Sequence, residues 1–232
     1  MADAAPASAA ELRVNTPSSS NMPALVSMDP DASWATLVEA ATRFAATRGA
    51  GGPMASDWRQ LMMPMSADIK HHAYHVAAIS VAIGHAMGLD ATALDHLRLA
   101  ALLHDVGKLA VPRTILNKPG PLSAIEWTVM RRHPAYARSM LAAAQARPEV
   151  VDAAYAHHER WDGTGYPRGL RGTDIPLSAR IVALADVVDA LSSKRSYRGA
   201  WQQADVRQHV SAAAGTQFDP GVVDAYLNLR AA

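Results

Sequence analysis

The sequence predicts an all-α fold, a single compact helical bundle with a flexible N-terminal tail. Three observations predict it. Half of the residues are hydrophobic but only 6% are aromatic, and alanine abounds, a palette that favours helix over strand. Apolar residues recur at spacings of three and four along extended segments. Residues that start and stop helices stand between those segments. With 232 residues the chain can bury a real core in one domain.

Residues 1–30 are rich in Ala, Ser, Pro and Asn and show no period; they are expected to be a disordered tail. Residues 31–65 read as a helical lead-in, with a helix over 33–47 stopped by Gly49, Gly51, Gly52 and Pro53. The main domain is expected over 66–232. Its first helix spans 66–87, placing His72, Val76, Ile79 and Ile83 on one face, and Gly88 ends it. Asp90 caps a second helix that runs through Leu94, Leu97 and Leu102 into His104. Pro112 breaks the chain, and residues 117–121 form a turn. Ser123 and Glu126 have the pattern of a capping box for a helix carrying Trp127 and Met130 to His133. Pro134 can open another helix, and one more is expected over 148–158. Residues 160–176 are glycine-rich and aperiodic, and a loop of that length inside a compact domain is usually functional. Helices over 175–192, 202–213 and 220–229 close the chain, with few or no strands.

Composition excludes several classes. A formal net charge of +1 gives no basic field, so DNA held by counterion release is not expected. With no cysteine there can be no disulfide, zinc finger or iron–sulfur cluster. No apolar stretch reaches the roughly 18–20 residues that cross a bilayer. The start lacks the pattern of a signal peptide. A cytoplasmic protein without membrane contact is the expectation.

Two phrases carry chemistry: LHDVGK at residues 103–108 and HHERWDGTGYP at residues 157–167. Neighbours on a helix point about 100° apart, so His104 and Asp105 can share a target only at a helix end. A carboxylate has two oxygens and can bridge two cations, whereas a neutral imidazole offers one nitrogen to one. Asp105 is thus the natural bridge and His104 a terminal ligand. His157 and His158 repeat the adjacency beside the glycine-rich loop. His72, His133 and Asp186 supply single ligands from further helices. Seven such side chains on two divalent ions leave positions open for water and phosphate oxygens, which suits phosphoester hydrolysis. Lys108 adds a point charge beside Asp105, and Arg195 and Arg198 can grip a phosphate. Singly these residues mean little, since a lone histidine is more often a hydrogen-bonded core residue and Lys108 a cation paired along its helix. Jointly they are a poor accident. His85, His96 and His209 fall outside the constellation and read as surface or packing residues.

At these residues the chain resembles the HD-GYP family of cyclic di-GMP phosphodiesterases, a subgroup of the HD phosphohydrolase superfamily. The likeness runs from about His72 to Leu227 and includes the run IPLSARIVALADVVDAL and the segment GTQFDP. It implies an HD-type helical bundle over 66–232 that hydrolyses cyclic di-GMP to linear pGpG, leaving open a further step to GMP, with two or three divalent ions, iron or manganese. It implies metal ligands at His72, His104, Asp105, His133, His157, His158 and Asp186. Asp105 and Lys108 would be catalytic, Lys108, Arg195 and Arg198 would contact phosphate, and Gly165, Tyr166 and Pro167 would shape the substrate mouth. A signalling protein docking on that loop is a further implied partner. The departures from the family pattern are specific. His71 stands beside His72, and the family spacing to Val76 selects His72. His75 stands where arginine is common, Ala137 replaces a glycine, and Ser196 replaces a proline. Asp68 stands where members with a third ion carry glutamate, which makes it the candidate third-ion ligand. Two other readings compete: a non-enzymatic nucleotide- or protein-binding module of the same fold, and an HD phosphohydrolase acting on another nucleotide.

Overall fold

The computed structural model describes Met62, residues 64–193 and residues 199–229. The tail, the helix expected over 33–47, and Arg195, Ser196 and Arg198 lie outside the described residues. Among the described residues there is no strand; a lone bridge joins Ala214 and Phe218.

Helix α1 (Ala67–Ala86) begins where Ser66 Oγ accepts the Ile69 N–H, and Asp68 in its first turn complements the helix dipole. Gly88, at φ +78°, takes the left-handed turn that ends it. Its buried face includes Ala73, Val76, Ile79 and Ile83, as the spacing predicts. Helix α2 (Ala91–Leu103) starts at the Asp90 cap, whose Oδ1 lies 2.8 Å from Ala93 N. Gly84 lets the two helices close: a Cβ there would sit 2.7 Å from Leu97 Cδ2.

After Leu103 the backbone leaves the α conformation. His104 caps α2, Asp105 adopts φ −98° and ψ 6°, and Val106–Ala110 tightens into a 3-10 turn. Two short helices follow, α3 (Arg113–Leu116), which the sequence reading did not contain, and α4 (Ala124–Met130) with its capping box of Ser123 and Glu126. Neither buries a residue. The helix expected to reach His133 stops at Met130, and α5 (His133–Ala143) starts afresh with Pro134 in its first turn, where a missing N–H costs nothing. Helix α6 (Pro148–Ala156) ends two residues earlier than its pattern implies, leaving His157 as its cap. Helix α7 (Leu177–Ser192) starts two residues later than expected, because Ile175 and Pro176 are extended. Helices α8 (Gln203–Ala212) and α9 (Pro220–Asn228) complete the bundle.

The core lies where α1 packs on α2, α7 and α9, and where α6 packs on α2, α5 and α7. Leu102, Leu103, Leu141, Ile181 and Leu184 are fully enclosed there. Each such side chain contributes about 1.5–3 kcal/mol relative to exposure. That packing fixes the ends of α2 and α6 against α1, α5 and α7, and the polar site forms at those ends.

Candidate metal centre

Asp105 stands at the middle of the site, almost fully buried. Its two oxygens face different histidines. Oδ1 lies 3.3 Å from His133 Nε2 and 3.9 Å from His157 Nε2. Oδ2 lies 3.4 Å from His104 Nε2 and 4.0 Å from His72 Nε2, and also pairs with the Lys108 ammonium. His72 Nε2 in turn lies 3.2 Å from Asp186 Oδ1. One ligand atom from each of His72, His104 and Asp186 falls within 4.8 Å of the others, and so do those of His133, His157 and His158. His104, Asp105 and His157 form a third such group linking the two. All seven metal candidates of the two-ion reading are therefore brought together, from α1, α5, α7 and the ends of α2 and α6.

Departure from the helix is what lets His104 and Asp105 share a target. Their neighbours supply the fixing bonds. Nδ1 of His104, His133 and His157 meets the carbonyl oxygens of Ala101, Met130 and Ala154 at 2.6, 2.8 and 2.8 Å. A carbonyl only accepts, so each ring carries its proton on Nδ1 and turns the Nε2 lone pair inward.

The electrostatics favour a cation. Burial pushes His157 well below its ordinary value, and the neighbouring His158 and His104 add to that. Burial likewise lowers His133, and brings His158 down to about 4. These rings are neutral, the form that binds metal. Burial pushes Asp105 up, but the Lys108 ammonium beside it outweighs that and holds the carboxyl well below the usual range. Asp186 is also held low, burial being outweighed chiefly by the hydrogen bond from His72. Two buried atoms at the centre, His104 Nε2 and Asp105 Oδ1, have no hydrogen-bond partner. An orphaned buried polar atom costs about 1–3 kcal/mol. Divalent ions held by the donors around these atoms would remove that cost, so the residues present fit a metal.

The other expected site residues occupy distinct places. Lys108 is half-buried and lines, with Asp68, His72, Asp105, Asp186 and Asp189, a cleft of about 530 Å³. Asp68 is exposed at that cleft and does not join the close donor groups. Tyr166 stacks on His158, ring centroids 4.8 Å apart, with the Arg131 guanidinium 5.2 Å from its own centroid. Gly165 packs on the backbone: a Cβ there would sit 2.4 Å from Arg160 N. Pro167 is exposed and follows a cis peptide bond. His85 and His209 are exposed and His96 half-buried, away from the donor groups.

Three residues escaped the sequence reading. Asp189 accepts from His72 and His75, Glu159 pins the 160–176 loop, and Gly107 lets Asp105 approach α5. The signal for Asp189 was present: an acid between Val188 and Ala190 on an apolar helix is buried and needs a partner.

Known proteins resemble this chain in sequence and in fold. The HD domain family model matches residues 52–222. The 3′3′-cGAMP-specific phosphodiesterase 2 of Vibrio cholerae is 43% identical over 67% of this chain and 30% of its own length. The cyclic di-GMP phosphodiesterase response regulator RpfG of Xanthomonas campestris pv. campestris is 46% identical over 68% of this chain and 41% of its own. The chain thus spans well under half the length of these relatives. Among solved structures, Bd1817 of Bdellovibrio bacteriovorus, an HDG"Y"P protein, aligns with TM-score 0.59 and 23% identity over 82% of this chain and 60% of its own. The HD domain of the L. monocytogenes phosphodiesterase PgpH, in complex with cyclic-di-AMP, aligns with TM-score 0.51 and 15% identity over 72% and 92%. At those identities the two structures speak to the fold alone. The chain belongs to the HD domain family, and its 157–167 signature marks the HD-GYP branch.

Proposed function

We propose that this chain is a metal-dependent phosphodiesterase that opens cyclic di-GMP to linear pGpG and carries it on to GMP. The observation that carries the proposal is the division of Asp105, whose two oxygens face two separate sets of donors. His72, His104 and Asp186 would hold one ion and His133, His157 and His158 the other, with Asp105 shared. Divalent ions held there would lower the pKa of water and clamp the non-bridging oxygens of a phosphodiester. Everything else is the work of the chain. The Nδ1 anchors keep the Nε2 atoms aimed inward without reorganisation. Lys108 stands at the cleft beside Asp105 and would place a positive charge on the scissile phosphate. Tyr166 props His158 through ring stacking, so the GYP residues act first as a buttress of the centre.

The donors are imidazole and carboxylate without thiolate, which suits iron or manganese. Asp68 is the candidate ligand of a third ion, on the strength of its place at the cleft shared with His72. Relatives named as cyclic di-GMP phosphodiesterases support the substrate class. A second reading, the mixed cyclic dinucleotide, is favoured by the relative named 3′3′-cGAMP-specific. Action on a second messenger, with no cysteine in the chain, supports a cytoplasmic place. No helix among the described residues is long and apolar enough to cross a membrane. A signalling partner on the 160–176 loop belongs to the same proposal. Arg195 and Arg198 remain proposed phosphate grips on sequence grounds.

The test is a substrate panel. Protein purified without oxygen and loaded with Fe²⁺ or Mn²⁺ is given cyclic di-GMP, 3′3′-cGAMP and cyclic di-AMP, and products are separated by chromatography. Conversion of cyclic di-GMP to pGpG and GMP supports the first reading, and preference for 3′3′-cGAMP the second. Metal-replete protein that leaves all three intact overturns both and favours a binding module.

A further inference from the structure

Three site histidines share one anchoring device, and His72 does not. His104, His133 and His157 each follow the last turn of a helix, where carbonyls lack an intrahelical partner. Their Nδ1 atoms take up those spare carbonyls. His72 stands inside the 20-residue helix α1, whose carbonyls are consumed by the helical ladder. No spare acceptor is within its reach on its own helix.

Asp189 of α7 takes that place. Its Oδ2 lies 2.6 Å from His72 Nδ1. Its Oδ1 accepts from His75 Nδ1 at 3.0 Å and from Ser193 Oγ at 3.2 Å. His75 is one turn along α1 from His72, so one carboxylate straps two rings of the same helix. Asp189 is buried, and its carboxyl is held low: burial pushes it up, but the hydrogen bonds from His72 and His75 outweigh that. An ionised carboxylate only accepts, so both rings must donate Nδ1–H.

We infer that Asp189 is a positioning residue, braced by His75 and Ser193, that fixes His72 with Nε2 toward Asp186 and Asp105. It thereby sets the affinity of the ion position built from His72, His104 and Asp186, and leaves the His133, His157 and His158 position alone. The inference rests on the two-ion reading proposed above.

Titration of the metal-free full chain with Co²⁺, followed by visible absorbance and calorimetry, tests it. The unaltered protein is expected to take up two equivalents. Asp189→Asn keeps the volume but offers one oxygen to two imidazoles. It is expected to bind one equivalent as before and the other about 10–100-fold more weakly, the usual effect of a partner behind a metal ligand. His75→Ala, at a half-buried position, is expected to weaken the same equivalent by less. General damage to the fold would weaken both equivalents, so an equal loss of both in Asp189→Asn overturns the positioning role. So does wild-type affinity for both, or a His75→Ala effect on the other equivalent. If the unaltered protein binds no Co²⁺, the two-ion reading falls and this inference with it, a result seen before any variant is made.

Discussion

Gly107 lies against the backbone of His133 so closely that a Cβ on it would sit 1.9 Å from the His133 carbonyl oxygen. The same Cβ would meet Ala137 N at 2.5 Å. This close approach seats the 3-10 turn after Asp105 on the first turn of α5. Asp105 and His133 are drawn together by a residue that carries no functional group.

Gly107→Ala is therefore expected to cost about 3 kcal/mol or more, at the upper end of overpacking. It should also push Asp105 away from His133 and weaken Co²⁺ uptake. Urea unfolding and metal titration of the variant check both. An unchanged unfolding midpoint would show that the turn yields freely.

Glu159 has a comparable part in the loop. It is buried directly after His158, and its carboxylate accepts from Arg168 N at 2.7 Å and from Leu170 N at 3.1 Å. Glutamine offers one acceptor where two backbone N–H groups need one each. Glu159→Gln is expected to lose about 2 kcal/mol and to open the loop to trypsin at Arg168 and Arg171. Cleavage as slow as in the unaltered protein would mean that the loop holds without this carboxylate.

The helices were legible in the sequence because their signals are local. Ser66, Asp90, Ser123 and Gly88 do what their residue types predict, and the apolar face of α1 is the one that packs. The metal candidates were legible as residue types in an unusual joint pattern. The helix ends were read too long at His133 and His158, and that difference carries function. A histidine just past the last turn finds a spare carbonyl for Nδ1, whereas one inside the helix does not. Asp189, Glu159 and Gly107 were missed because their partners lie 117, 9 and 26 residues away on other elements, where periodicity has nothing to say.

Asp105→Asn tests the bridge directly. Each oxygen of Asp105 faces its own donors, and an amide can serve only one side as an acceptor. Turnover is expected to fall more than about 100-fold, since even partners behind a metal ligand are worth 10–100-fold. In the unaltered protein, Mn²⁺ at 100 times its Kd should add about 2.7 kcal/mol of stability per site. In Asp105→Asn that increment should vanish at the same concentration. Equal thermal shifts in the two proteins would remove Asp105 from the centre.

The pH dependence of the metal-free protein follows from opposing histidines. All titrate near 6.5 when unperturbed. Burial lowers His133 and His157, and takes His158 to about 4. Below 6.5 the unfolded chain therefore binds more protons than the folded one. Stability must fall as pH drops from 6.5 toward 4, by about 1.4 kcal/mol per unit for each group fully in that window. His72 runs the other way. Burial pulls it down, but hydrogen bonds to Asp186 and Asp189 win and raise it to about 9. Its contribution is complete below 6.5 and is lost as pH climbs from 6.5 to 9. Stability of the chelator-treated protein should thus peak at about pH 6.5, measured by urea unfolding at pH 4.5, 6.5 and 9. Ion binding needs His72 Nε2 free of its proton, so Mn²⁺ affinity should rise across the same alkaline window in which the metal-free fold weakens. An affinity that is flat from pH 6.5 to 9 would take His72 out of the ligand set.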